Sequence, residues 1–302
     1  MQSINRQSAM IASAGRWLAL TVLYAVLFSV GSALFAPRGL PPLSEQEQSR
    51  ALLGIVCMAA IDAALMLLFV RRSRLHGWRL MALLAGIFYF VKTVTSQIEA
   101  LFFMPNVTAG MLPALLSMTV PLTLAIAPLA VWIGGRIRSS PADRTPSFAP
   151  LALSRFQIAL RVTLLSAVVY PALFFLAGWF IAFRSPELRA FYGGASGDTF
   201  LAQLASLDLS VYLLEALRGA LWVGCALSML RALRGPHWIA TLLVAAWFAL
   251  VQNDVHFIPN PLMSGTIRLY HFVETASSNI VWACLIGLSF RGAPGRVHGE
   301  PE

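Results

Sequence analysis

Apolar runs of about 20 residues, the length an α-helix needs to cross a bilayer core, recur along the whole chain. Short polar or arginine-bearing stretches separate them. Eight runs fit, at about 16–36, 51–70, 80–103, 111–134, 160–183, 209–230, 237–257 and 268–290. The pattern predicts an all-α, polytopic integral membrane protein of eight transmembrane helices, with no room for a sizeable soluble domain. Arg16 and the apolar run to Ala36 are reminiscent of a secretory signal, but Pro37 follows directly and the run is long for a signal core. It reads as the first span.

Composition agrees. Of 302 residues 58% are hydrophobic and 12% charged, against roughly one-quarter charged in a soluble domain. A formal net charge of +9 suggests nucleic acid, but the arginines sit in short clusters between apolar runs, as a topology signal does. With the amino terminus inside, Arg6, Arg16, Arg71, Arg72, Arg74, Arg79, Arg136, Arg138, Arg144, Arg155, Arg161, Arg231, Arg234, Arg291 and Arg296 are cytoplasmic. Arg38, Arg50, Arg184, Arg189 and Arg268 lie outside. Fifteen against five places both termini in the cytoplasm and the chain in the inner (plasma) membrane, with lipid as its partner and no nucleic acid. No phosphate-binding glycine loop or nucleotide fingerprint occurs, so no nucleotide is expected. Cys57, Cys225 and Cys284 lie inside apolar runs without paired spacing and read as small fillers.

The stretch 135–156, with Ser139, Ser140, Pro141, Pro146 and Pro150, reads as a cytoplasmic linker. It divides an amino-terminal four-helix half, 1–134, from a carboxy-terminal half, 157–302, that carries most of the polar site. The outer loop 184–208 holds Gly193, Gly194 and Gly197 and a short interfacial helix around Phe200 to Leu207. A faint repeat links the halves. Gln97, Glu99, Phe102, Pro105 and Asn106 end the third span; Gln252, Asp254, Phe257, Pro259 and Asn260 end the seventh. Both run outward, so the repeat is parallel. The tryptophans disagree, since Trp78 and Trp238 stand at different distances before those glutamines. Pro113, Pro121 and Pro128 in the fourth span fit either a broken helix lining a cavity or a tolerated kink, and the kink is the expectation.

Ionisable groups in lipid are costly and usually face a bundle interior with a task there. Glu99 ends the third span, Asp254 and His256 the seventh, and His271 and Glu274 open the eighth. Glu215 and Arg218 fall in the outer third of the sixth. Helical spacing gives each span one polar stripe: His271, Glu274 and Ser278; Lys92, Ser96 and Glu99; Asp208, Tyr212, Glu215 and Arg218. The far ends of these spans are expected to converge. Three readings compete for the group. His256, His271 and Glu274, with Glu99 or Asp254, would ligate a divalent metal that activates water. Alternatively a histidine acts as general base with a carboxylate orienting it, without metal. In the third, the groups only satisfy one another. Gln97, Asn253 and Asn279 are candidate supporting hydrogen-bonders. Asp62 and Lys92, the chain's only lysine, form a separate mid-bilayer pair, either an ion pair or a charge-carrying step in transport.

Leu213-Leu214-Glu215-Ala216-Leu217-Arg218-Gly219 resembles, over a short stretch, the Glu-Glu-x-x-x-Arg-Gly signature of the CAAX-protease and bacteriocin-processing membrane family. The resemblance implies two histidines and an asparagine on later helices. The signature's paired glutamates fall here on Leu213 and Leu214, and Asn279 lies two turns beyond His271 rather than one. The expected topology also puts the cluster outside, whereas enzymes that trim prenylated proteins work from the cytoplasmic face. No membership follows from so short a match. His76, His237 and His298 read as helix-end or tail residues, and Trp78 and Trp238 as an interfacial belt. The functional expectation is an outward-facing histidine/carboxylate site in a membrane-embedded hydrolase or transferase for a lipid-linked or peptide substrate. Its rivals are a small secondary transporter using Asp62, Lys92 and the acids, and a non-catalytic assembly or sensor component.

Overall fold

The computed structural model describes residues 2–37, 42–104, 107–139, 153–191, 199–205 and 208–291. Among them eight helices are long and apolar enough to cross a membrane, and no strand occurs. They are α1 (Gln2–Phe35), α2 (Glu45–Arg72), α3 (Gly77–Phe103), α4 (Ala109–Ile133), α5 (Arg155–Arg184), α6 (Leu209–Ala232), α7 (His237–Phe257) and α8 (Gly265–Ser289). All eight match the expected runs. The largest differences are at the starts of α1, α2 and α5, where helix extends into polar sequence. For α2 and α5 the cause is a capping box, in which side chain and backbone exchange hydrogen bonds across the first turn. Ser44 and Glu47 form one, Ser154 and Gln157 the other. Such polar first turns lie outside any apolar period.

The short helix Phe200–Ala205 occupies the expected place, and a second, Pro186–Phe191, precedes it. Most of the expected linker, with Ser140, Pro141, Arg144, Pro146 and Pro150, lies outside the described residues. So do Arg38, Pro105, Asn106, Gly193, Gly194, Gly197, Arg296 and His298.

Helix α4 departs from the expected kink. It is interrupted at Met118–Thr119, with helical segments Leu112–Ser117 and Val120–Ile133 on either side. Pro121 has no N–H to give the Ser117 carbonyl one turn back, so the ladder opens there. Side chains of α3 hold the break. Tyr89 donates to Leu116 O at 3.1 Å, and the Thr93 and Thr119 hydroxyls meet at 2.5 Å.

Helices α3, α5 and α7 each contain a π-helical segment, Phe90–Val94, Leu165–Val169 and Trp247–Val251. A π turn inserts one residue and leaves backbone groups free for other partners; such turns recur at functional sites. Helix α7 then tightens into a 3-10 turn, Asp254–Phe257. Helix α1 packs on α2 and α4, α3 on α4, α5 on α6 and α8, and α7 on α8. Fully buried Trp222, Trp247 and Trp282 mark the centre, where the Trp222 ring lies 4.3 Å from Phe248 and 5.5 Å from Phe90. At the arginine-rich end two turns bind reciprocally. Arg74 N–H donates to Ala232 O and Arg234 N–H to Arg72 O, both at 2.8 Å.

Candidate functional site

Close helix approach creates the site. A Cβ on Gly219 of α6 would stand 2.9 Å from Tyr170 Cβ and 3.0 Å from Ser166 O, so only glycine lets α6 lie this near α5. Its neighbours Glu215 and Arg218 are then buried. The Arg218 guanidinium donates from Nη1 to both Glu215 oxygens, at 2.8 and 3.0 Å, and from Nη2 to Glu99 Oε2 at 2.6 Å. The same cation thus pairs with Glu215 within its own helix and reaches across to Glu99 on α3.

The other Glu99 oxygen faces α8. His271 Nε2 lies 3.5 Å from Glu99 Oε1, and its Nδ1 lies 3.4 Å from Glu274 Oε2. One imidazole thus stands between two carboxylates. Its ring meets that of His256 edge to face, with centroids 4.9 Å apart. Glu99, Glu215, Glu274, Arg218, His256 and His271 are brought together as expected.

Asp254 is not part of that group. It joins the deeper pair. Lys92 Nζ donates to Asp62 Oδ2 at 3.0 Å and to Asp254 Oδ1, while the Tyr24 hydroxyl donates to Asp62 Oδ2 at 2.5 Å. These four residues, on α1, α2, α3 and α7, are at most 5% exposed. The single stripe expected for α3 accordingly splits. Lys92 sits within the π segment and serves one cluster, and Glu99, beyond it, serves the other.

A layer of amides borders both clusters. Asn279 Nδ2 donates to Phe248 O at 3.0 Å and to Gln252 Oε1 at 2.5 Å. Asn253 Nδ2 donates to Ala249 O at 2.9 Å, and Thr275 donates to Asn253 Oδ1 at 2.6 Å. Phe248 and Ala249 lie inside the π segment of α7, so the amides occupy the carbonyls that the wide turn leaves free. Gln97 lines a cavity together with Gln252 and Asn253 of this layer.

Two cavities open beside His271. One, of about 260 Å³, is walled by aromatic side chains including Phe103, Phe174, Phe175 and Trp179, with Glu99, His271 and Glu274 as its polar patch. The other, of about 290 Å³, is lined by Lys92, Gln97, Asn253, His256, Asn260 and, at the break in α4, Thr119. Glu99, Phe103 and His271 border both and form the wall between them. The break in α4 therefore lines a cavity, as the alternative to a tolerated kink anticipates.

Among the described residues no three His, Cys, Asp or Glu side chains are disposed to hold a metal ion. His256, His271 and Glu274, the expected ligands, do not share a focus. His271 turns its nitrogens to two carboxylates on opposite sides and meets His256 through ring contact. Tyr24, Gln252 and Thr275 belong to these networks and escape a search for acids and histidines. Comparison of the sequence with protein families and with curated proteins, and of the fold with solved structures, finds no match.

Proposed function

We propose that the protein is a membrane-embedded hydrolase or transferase for a lipid-linked substrate, with Glu99, His271 and Glu274 as a metal-free acid–base centre. The observation that carries this is the position of His271, held between two carboxylates in the wall shared by an aromatic-lined cavity and a second cavity that has Lys92, Gln97 and Asn253 in its lining. An amphiphile placed across that wall lays its chain against Phe103, Phe174 and Trp179. Its polar part lies by Gln97 and Asn253, and the bond at the junction faces the imidazole. His271 takes the proton of the attacking water or acceptor hydroxyl as the new bond to the substrate forms. One carboxylate orients and stabilises the imidazolium, which then gives the proton to the leaving group. Arg218 anchors Glu99 from behind and Glu215 anchors Arg218, so both are positioning residues. Contacts of 3.4–3.5 Å at His271 suit a free enzyme, where catalytic hydrogen bonds are often long and tighten with substrate bound. The arginine bias orients this centre to the outside of the inner membrane.

Incubating the purified protein with total membrane lipid and lipid-linked peptide extracts in ¹⁸O-labelled water tests the hydrolase. A product carrying the label, formed by wild type and absent with His271→Ala and Glu99→Gln, is expected. The transferase arm reads the same dependence as an unlabelled product that requires an added acceptor alcohol or amine. Product formation unaffected by both substitutions refutes the assignment. A secondary transporter is the second reading, supported by the second cavity reaching Lys92 inside a cluster that joins four spans. It predicts substrate-dependent proton flux in vesicles, lost in Lys92→Gln.

A further inference from the structure

The cluster around Lys92 has unequal charge. Asp62 and Asp254 both bind the same ammonium, and Lys92 is the cation that ion-pairs with them. Tyr24 supplies a hydroxyl, which is neutral. With both aspartates ionised, the four residues carry one uncompensated negative charge, with Asp62 and Asp254 wholly out of contact with solvent. An isolated charge in such surroundings is expensive, and two carboxylates sharing a site do not both ionise readily. Hydrogen bonding is also incomplete. Among the described residues, none donates a hydrogen bond to the buried oxygens Asp62 Oδ1 and Asp254 Oδ2. The two acids face one another across Nζ.

Both deficits have one remedy. We propose that Asp62 and Asp254 together form a proton-binding site, holding one proton in addition to those on Lys92 and Tyr24. The proton cancels the excess charge and turns one carboxylate into a donor. The surroundings supply its route and its consequence. Lys92 lines the second cavity together with Ser96, Gln97, Asn253 and His256, which is the side that offers a proton its route to the cluster. Asp254 opens the 3-10 turn that also carries His256. Proton loss at the aspartates therefore acts on the turn whose imidazole packs against His271.

Titratable groups face the pair from α1, α3 and α7. Tyr24 comes from α1, Lys92 from α3 and His256 from the same turn as Asp254. Glu99 shares the cavity with Lys92. Arg268, at the start of α8, is engaged by the backbone carbonyls of His256 and Met263 rather than by the aspartates. The site is distinct from the Glu99–His271–Glu274 centre and does not depend on that centre being catalytic.

Infrared spectroscopy of the full chain in lipid nanodiscs at neutral pH, in light and heavy water, reads the proton directly through the carbonyl stretch of a protonated carboxylic acid. The expected result is a deuterium-sensitive band in wild type that is lost in Asp62→Asn or Asp254→Asn. Either change leaves one carboxylate paired with one ammonium. The same band persists in Glu99→Gln, Glu215→Gln and Glu274→Gln, which separates it from the other buried acids. Because Asn keeps the shape of a protonated Asp, at least one of the two variants should fold, and one suffices. Absence of the band in wild type, or its survival in every folded aspartate variant, overturns the proposal. If the band is absent and the melting temperature rises with Na⁺ at constant ionic strength, the free oxygens belong to a monovalent cation instead.

Discussion

Replacing Arg218 by methionine keeps much of the side chain's bulk and deletes its charge. In the folded protein that charge makes three hydrogen bonds, two to Glu215 and one to Glu99. Glu99 retains His271 at 3.5 Å, but Glu215, fully buried, is left without its cation. Removing one partner of a buried ion pair costs about 3–5 kcal/mol, because the other charge stays buried and uncompensated. Glu215→Gln is a milder change. The Arg218–Glu99 pair survives and the amide oxygen still accepts from Arg218, so the loss is about 1 kcal/mol, the difference between a charged and a neutral acceptor. The gap between the two variants is then at least about 2 kcal/mol, roughly a 30-fold difference in the ratio of folded to unfolded protein. A triple variant, Arg218→Met with Glu99→Gln and Glu215→Gln, should regain most of that gap, since neutralising every member of a buried ionic group is often nearly free. Equilibrium unfolding in mixed micelles, followed by fluorescence of the buried tryptophans, measures all three. The reasoning fails if Arg218→Met and Glu215→Gln agree within about 0.5 kcal/mol, or if the triple variant is no more stable than Arg218→Met.

Other consequences are narrower. A Cβ on Gly54 of α2 would lie 2.5 Å from the Phe257 carbonyl oxygen, so Gly54→Ala should displace the Asp254–Phe257 turn at about 1–3 kcal/mol and reduce turnover. Gly86→Ala, which meets nothing within 4 Å, is the control and should be neutral or mildly stabilising by thermal melting. Purified protein should contain well under one divalent metal per chain, and chelation should leave turnover unchanged. Stoichiometric metal lost in His271→Ala would show that the histidines reorient to bind it. Asp208 caps α6 by accepting from the Ser210 N–H at 2.8 Å, and that hydrogen bond holds its carboxyl below the ordinary value of 3.8. A depressed folded-state value stabilises above 3.8 and the benefit fades as pH falls through the lower folded value. Asp208→Ala should therefore flatten stability against pH in that acid window, and an unchanged profile would refute the cap's contribution.

The eight spans were legible because each is one long apolar period, and packing has only to choose which face turns inward. The Glu99, Glu215, Arg218, His256, His271 and Glu274 group was legible for a related reason: an ionisable side chain in an apolar helix has nowhere inexpensive to point except the interior. The partners were not. Regular helical spacing puts Lys92 and Glu99 on one stripe, and the π segment at Phe90–Val94 inserts a residue between consecutive turns that no spacing rule sees. Asp254 illustrates the same limit. Sequence neighbours suggest that it joins His256 and His271, yet the change from π to 3-10 winding at Val251–Asp254 turns it toward Lys92 instead. Tyr24 was invisible, since one tyrosine in an apolar helix reads as core until a carboxylate is known to lie opposite.

That change of winding bears on how the two clusters work together. With three residues per 3-10 turn, Asp254 and His256 differ by about 240° around the axis and face different ways. Here a wide turn followed by a tight one brings one to the aspartate–lysine cluster and the other to His271. The arrangement is held by side chains rather than by the helix's own ladder. Asn279 occupies the Phe248 carbonyl, Asn253 the Ala249 carbonyl, and Thr275 steadies Asn253. If those amides are what keep the turn wound this way, Asn279→Leu should disturb both clusters at once, although its hydrogen bonds go to Phe248 and Gln252. The Phe248 carbonyl of the wide turn would lose its Asn279 donor at about 1–3 kcal/mol, and the aspartate carboxylic-acid band and the turnover that depends on His271 should both fall. Loss of one with the other intact would mean that the clusters are built independently.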